Sequence, residues 1–166
     1  MSDRVTEFFK LRKNLEPNEA LDPDSPLRVD TAHARDTLRR MVLARVPLEW
    51  FDSEDTMDYL IDHCGGHPRD LVRLLSLTWQ KSRHNRLERA DAEKAVASLA
   101  SDFRRLLNTE DYALLRRIDQ GDEDRAERPE LVKLFQILAL LEYNDHWWRS
   151  HPIVQGLPGY ARDVGP

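Results

Sequence analysis

Residues 65–71, Gly65-Gly66-His67-Pro68-Arg69-Asp70-Leu71, join two segments in which apolar side chains recur at helical spacing. Gly65 stands where a left-handed C-terminal cap belongs, and Gly66 follows it. Pro68 suits the first position of a helix, where its missing N–H costs nothing. The stretch therefore predicts a sharp helix–turn–helix junction that puts Arg69 in the first turn of the second helix.

Four helical segments surround this junction, and they predict a compact four-helix unit over residues 30–107. The first helix begins near Asp30 or Thr31 and stops at Pro47, the second begins at Asp52 or Ser53, and the fourth runs from about Arg89 to Leu107. Apolar periodicity predicts the inward faces. These are Leu38, Met41, Val42 and Val46; Met57, Leu60, Ile61 and Cys64; Leu71, Leu74, Leu75 and Thr78; and Ala92, Val96, Leu99, Phe103 and Leu106.

Residues 108–155 predict two further helices and a β-hairpin, the outline of a winged-helix domain. The first helix is capped by Asn108 or Thr109, a charged loop covers 119–128, and Pro129 opens the second helix. A hairpin over 140–149 is expected to turn at Asn144-Asp145. The whole chain is thus predicted to be mainly α.

The two ends of the chain differ from the middle. Residues 1–29 combine a short aromatic segment, Val5–Leu11, with a proline-rich acidic stretch, which predicts a strand followed by a linker. An apolar strand without a sheet favours self-association through residues 5–11. Residues 156–166 contain several glycines and prolines and predict a flexible tail.

Composition limits the classes of partner. The 166 residues carry a net charge of −5, and neither residues 1–100 nor residues 101–166 carry a basic excess, so no nucleic-acid footprint is visible in the net charge. The single cysteine, Cys64, excludes an internal disulfide and suits a reducing compartment. No apolar run approaches the ~20 residues that cross a bilayer. These features predict a cytoplasmic protein without a membrane partner.

The order of these elements resembles the C-terminal half of the P-loop ATPases of the AAA+ and STAND classes that are nearest to the origin-recognition type. The lid motif of that family, G-G-x-P-R-x-L, is matched by Gly65, Gly66, Pro68, Arg69 and Leu71. Its wing motif, L-E-Y-N-D…W…H-P, is matched by residues 141–145, 147–148 and 151–152. The resemblance implies a helical lid followed by a winged helix, with residues 1–29 as a remnant of the ATPase core.

The resemblance also implies a role for Arg69, which in the family reaches the γ-phosphate of ATP and reports its presence. A phosphate loop of the form G-x-x-x-x-G-K-[ST] is impossible here, because none of the six glycines precedes a lysine. The chain is therefore expected to be non-catalytic and to hold no cofactor of its own. ATP and magnesium would be bound by a parent ATPase core. The alternative for Arg69 is a surface arginine paired with Asp62 or Asp70.

Two other groups of residues invite a functional interpretation. His63, Cys64 and His67 suggest a metal site, but the glycines and Pro68 interrupt the helix that would align them, so we interpret them as core or cap residues. Trp147 and Trp148, with Lys133 and Gln136 on the preceding helix, form a possible interaction surface. The alternative for the tryptophans is a covered edge of the core.

The predicted function is a regulatory module that senses nucleotide through its lid and contacts an ATPase core or an effector through its winged helix. Two alternatives remain open, a winged-helix DNA-binding protein and a free-standing helical adaptor. The acidic residues between 119 and 130 would repel a duplex, so nucleic acid is not the expected partner. If DNA were bound, the arginine pairs 104–105 and 116–117 would be the candidate phosphate contacts.

Overall fold

The computed structural model describes residues 31–121, 129–144 and 147–161. In these ranges the chain is mainly helical with one two-stranded antiparallel sheet, in agreement with the predicted class. Among the described residues, no helix combines the length and the apolar character needed to cross a membrane. The predicted strand at residues 5–11, with its proposed self-association, lies outside the described residues.

The chain divides into two compact units between Arg105 and Leu106. The first unit contains α1 (Thr31–Leu43), a 3-10 turn (Leu48–Trp50), α2 (Glu54–His63), α3 (Pro68–Lys81) and α4 (Arg89–Leu106). The second contains α5 (Thr109–Gln120), α6 (Pro129–Gln136), β1 (Leu140–Asn144), β2 (Trp147–Ser150), α7 (Pro152–Gln155) and α8 (Pro158–Ala161).

Cap residues set several helix boundaries, of which those at Ser53 and Asn108 are predicted from the sequence, whereas α5 continues to Gln120 and so includes the first two residues of the predicted loop 119–128. Ser53 accepts a hydrogen bond from the backbone N–H of Thr56 at the start of α2. Asn108 and Asp111 form a reciprocal capping box at the start of α5, with both bonds at 2.8 Å. Gly121 ends α5 in the left-handed conformation, with φ 71°. Local backbone chemistry thus explains where these elements begin and end.

The core of the first unit follows the predicted apolar faces of the second and third helical segments, whose eight predicted residues are all buried. The faces predicted for α1 and α4 are only partly correct, because Leu38, Met41, Val46 and Val96 are half-buried and Leu106 is 50% exposed. Ala95 is buried although the sequence analysis does not predict it. Further buried residues of this unit, outside the predicted faces, are Phe51, Thr56, Asp70, Leu87 and Asp91.

The hairpin forms, but its predicted turn is wrong. Asn144 pairs with Trp147 and Glu142 pairs with Trp148, so β1 carries one extra residue between its two pairs. Asn144 therefore belongs to the paired strand and is not a turn residue, while Asp145 lies outside the described residues.

The predicted flexible tail is also wrong for residues 156–161. Pro158 opens the short helix α8, and Leu157 is 4% exposed in the core of the second unit. Gly159 lies so close to α5 that a Cβ atom built on it would be 2.4 Å from the ring of Tyr112. The glycine and proline residues here permit close packing, and only residues 162–166 lie outside the described part of the tail.

Candidate functional site

The junction between α2 and α3 adopts the predicted geometry. Gly65 and Gly66 both have positive φ, 62° and 74°, which side-chain-bearing residues rarely adopt. The backbone N–H of His67 donates to the carbonyl of Cys64 at 3.0 Å, and Pro68 is the first residue of α3. No side chain caps this helix start. The two glycines therefore reverse the chain tightly and fix the position from which Arg69 projects.

Arg69 is exposed in the first turn of α3. The alternative that pairs it with Asp62 is wrong, because Asp62 accepts both of its hydrogen bonds from the guanidinium of Arg35. Asp70, the other proposed partner, is buried at 2% exposure. Within the part of the chain that the structure describes, Arg69 is in no salt bridge. Arg73, one turn later, differs in this respect, since it binds Asp102 at 2.8 Å.

The residues beside the glycines serve the fold. His63 Nδ1 lies 2.8 Å from the carbonyl oxygen of Tyr59, and the two rings are in contact. Cys64 is fully buried and donates its thiol hydrogen to the carbonyl of Ile61. Burial raises the pKa of this thiol to about 11. His67 occupies the cap position of α3. The interpretation of these three residues as core and cap residues agrees with their positions.

The predicted interaction surface of the second unit is only partly available. Lys133 forms a salt bridge with the buried carboxylate of Asp111, so it stabilises the α5–α6 pair. Gln136 is exposed at the end of α6. Trp148 is half-buried, with its ring edge-on to Phe135 at 5.0 Å and its Nε1 donating to Glu142 at 3.2 Å. Trp148 is thus partly covered by the hairpin and α6, while the side chain of Trp147 lies outside the description.

A polar cluster that the sequence analysis missed joins α5 to the C-terminal helices. Asp119 accepts hydrogen bonds from the backbone of Ser150 at 2.9 Å, from Gln155 at 3.3 Å and from the Tyr160 hydroxyl at 2.5 Å. Burial, followed by the bond to Asp119, raises the pKa of Tyr160 well above its ordinary value. The sequence predicts Asp119 in a charged loop, whereas it lies in the last turn of α5. Its partners are 31 to 41 residues away, so apolar periodicity does not predict the cluster.

Arg116 belongs to the same arrangement. It donates to the carbonyls of Gly159 and Tyr160 at 3.1 and 2.8 Å. Its proposed role as a DNA phosphate contact is therefore not available to it in this fold. The cluster holds the chain end against α5 by hydrogen bonds that charged groups strengthen.

A basic groove lies between the end of α3 and the middle of α4. Its lining residues are Lys81, Arg83, Lys94, Ala97, Ser98 and Ser101. Lys94 binds the buried carboxylate of Asp91 at 2.8 Å. No salt bridge to Lys81 or Arg83 occurs among the described residues. The groove thus carries positive charge on its rim, although the chain as a whole is acidic.

Comparison with protein-family models, with curated proteins and with solved structures finds no match to this chain.

Proposed function

We propose that the chain is a non-catalytic regulatory module of a STAND-like ATPase. The first unit would be a nucleotide-sensing lid, and the second a winged-helix module that contacts a protein. ATP and magnesium would be held by an ATPase core, which could be a domain of a parent protein or a partner, and Arg69 would approach the γ-phosphate from the lid.

The observation that carries this proposal is the state of Arg69. It is exposed at a fixed helix start, and no salt bridge within the described residues neutralises it, whereas Asp62 is already bonded to Arg35. An arginine is always charged and presents a planar fork of donors that matches phosphate. A side chain with these properties is suited to a ligand that another domain brings to it.

The backbone around Arg69 supports the same chemistry. The N-terminal end of a helix carries a partial positive charge and N–H groups without intrahelical acceptors, so it favours anions. The start of α3 has no side-chain cap that would occupy those groups. The one acid in its first turn, Asp70, is buried rather than presented to solvent. An arriving phosphate would therefore meet a guanidinium and a helix end together.

For the second unit, charge and packing favour a protein partner over DNA. Lys133 lies on α6, the helix that would enter the major groove, and it forms a salt bridge with Asp111. Arg116 donates its hydrogen bonds to backbone carbonyls. Glu130 is exposed in the first turn of that helix. A duplex presents one negative charge per ~1.7 Å of its axis, so a reader needs free basic side chains at this position.

The experiment is a titration of the isotope-labelled chain with tripolyphosphate, followed by amide chemical shifts. We expect weak binding that shifts the backbone amides of His67, Arg69, Asp70 and Leu71, since Pro68 has no N–H. The shifts should disappear in Arg69→Ala and be partly kept in Arg69→Lys, which keeps the charge without the fork. Arg104→Ala, which removes an exposed arginine elsewhere in the unit, is the matched control and should change nothing. Shifts that persist unchanged in Arg69→Ala would refute the sensing role.

A further inference from the structure

Two tryptophans of the first unit form an exposed stacked pair. Trp50, in the 3-10 turn, and Trp79, in the last turn of α3, have ring centroids 5.2 Å apart and an interplanar angle of 21°. They remain 42% and 40% exposed, and Leu48 and Val72 are each 41% exposed. We call these four residues the tryptophan patch. Val72 and Trp79 are seven residues apart on α3, so they lie on one face of the helix. Exposed aromatic clusters of this kind mark interaction sites.

The backbone holds the two tryptophans in place. Leu87 donates its N–H to the carbonyl of Trp50 at 2.6 Å, and Phe51 and Leu87 form a parallel bridge. At the other end, the N–H of Ser82 donates to the carbonyl of Trp79 at 3.1 Å. The loop after α3 is thus hydrogen-bonded to Trp79 at its start and to Trp50 at its end. A surface arranged in advance loses little conformational entropy when a partner binds.

This loop is basic. The stretch from Leu71 to Leu87 contains no acidic residue, and its last seven residues include Lys81, Arg83 and Arg86. We call residues 81–86 the basic loop. Arg86 reaches the carbonyl of Phe51 with its Nε at 3.3 Å, which places its guanidinium beside the residue that follows Trp50.

Among the described residues, no acid forms a salt bridge with Lys81, Arg83 or Arg86. Of the acids nearest to the patch in sequence, Glu49 is exposed, Asp52 accepts a hydrogen bond from the backbone N–H of Arg89, and Glu88 Oε1 lies 3.5 Å from His84 Nδ1. Arg83 is exposed and is in no salt bridge among the described residues. The tryptophan patch is therefore bordered by positive charge along the basic loop.

We propose that the tryptophan patch and the basic loop together bind an acidic amphipathic segment of another protein. Apolar side chains of that segment would cover Trp50, Trp79 and Val72, and its carboxylates would bind Arg83 and Arg86. Val72 and Trp79 span about 10 Å along α3, which matches two turns of a partner helix. The site uses neither Arg69 nor the hairpin, so it is independent of the proposed nucleotide-sensing role.

The observations favour a peptide over a nucleic acid as the occupant. In single-strand binding sites, aromatic faces are open and each one stacks a base. Here one face of each indole is covered by the other indole. Leu48 and Val72 offer aliphatic contacts, which suit apolar side chains.

The test uses two synthetic amphipathic peptides that share one leucine and phenylalanine face and carry either glutamate or lysine on its flanks. Their affinities for the full chain are measured by fluorescence anisotropy at moderate salt. We expect the glutamate peptide to bind at least tenfold more tightly. Trp79→Ala should weaken it at least tenfold, and Arg83→Glu should remove the preference for glutamate. Val132→Ala, which alters an exposed apolar residue of the second unit, is the matched control and should have no effect.

Several results would overturn the proposal. These are equal affinity for the two peptides, binding of neither peptide, or unchanged affinity in a folded Trp79→Ala variant. Tighter binding of a mixed-sequence single-stranded oligonucleotide than of the glutamate peptide would also overturn it and assign the surface to nucleic acid. If Trp79→Ala fails to fold, Arg83→Glu decides alone, because Arg83 is exposed and no fold contact depends on its charge among the described residues.

Discussion

The start of α3 and the last turns of α5 each place an arginine close to a glycine on which the local packing or turn depends, yet the two arginines make opposite kinds of contact. At the start of α3, Gly65 and Gly66 turn the backbone and leave Arg69 in solvent. At the end of α5, Arg116 donates to two carbonyls of the C-terminal segment, which Gly159 allows to approach. The difference shows that an arginine becomes a candidate for ligand binding only when the fold leaves its donors unused.

The largest effect should come from Gly65→Val. A β-branched residue forced to φ 62° is strained by about 1–3 kcal/mol, and the buried position leaves no easy relaxation. Urea denaturation should show this loss of unfolding free energy. Gly66→Asn is the control, because Gly66 is exposed and asparagine tolerates positive φ. Equal losses in the two variants would mean that backbone strain is not the cause.

Gly159→Ala should be the next most damaging change, and it acts on the second region. Its new methyl group would overlap the ring of Tyr112 at 2.4 Å, and overpacking of this kind costs about 1–3 kcal/mol. Gly156→Ala is the matched control, since a methyl group there would meet only ordinary contacts at 3.5 Å or more. If the two variants have the same thermal midpoint, the close approach of α8 to α5 is not present in solution.

The comparison between the arginines is tested by Arg116→Ala and Arg69→Ala. Removal of Arg116 leaves two carbonyls without their charged donor and should cost about 1.5 kcal/mol or more. Arg69→Ala should change the unfolding free energy by less than about 0.5 kcal/mol, as expected for an exposed residue without partners in the described chain. A greater loss for Arg69→Ala would make Arg69 a structural residue.

The smallest expected effect is on the pH dependence of the unfolding free energy. Because the folded state raises the pKa of Tyr160, the neutral phenol is favoured by folding. Its stabilising contribution is complete below the ordinary tyrosine pKa of about 10 and is lost as pH rises above that value. Urea unfolding at pH 8 and pH 11 should therefore show a smaller decline in Tyr160→Phe than in the unchanged chain. An identical decline in both would contradict the coupling to Asp119.

Much of the first region can be predicted from sequence because its signals are local. Ser53, Pro68 and the two glycines act within a few residues of their own positions, so their caps and turns follow from residue type. The apolar faces of α2 and α3 follow from periodicity for the same reason. The bulge in β1 could not be predicted, because it depends on the pairing of two strands rather than on either one.

The candidate sites depend on contacts between residues that are distant in sequence, and the sequence analysis does not predict those contacts. Asp62 is close to Arg69 in sequence, but its carboxylate accepts hydrogen bonds from Arg35, which is 27 residues away. The stacking of Trp50 on Trp79 links residues 29 positions apart and left no periodic pattern. In the tail, proline and glycine were interpreted as disorder, although Pro158 begins a helix and Gly159 packs on Tyr112.

The central claim, that this chain senses nucleotide without itself holding it, is tested most directly by calorimetric titration of the chain with ATP and magnesium. The account predicts no saturable binding in the micromolar range and no release of phosphate, because the chain has no phosphate loop and magnesium in such enzymes depends on ligands of the ATPase core. Micromolar binding of ATP, or its hydrolysis, would contradict the account.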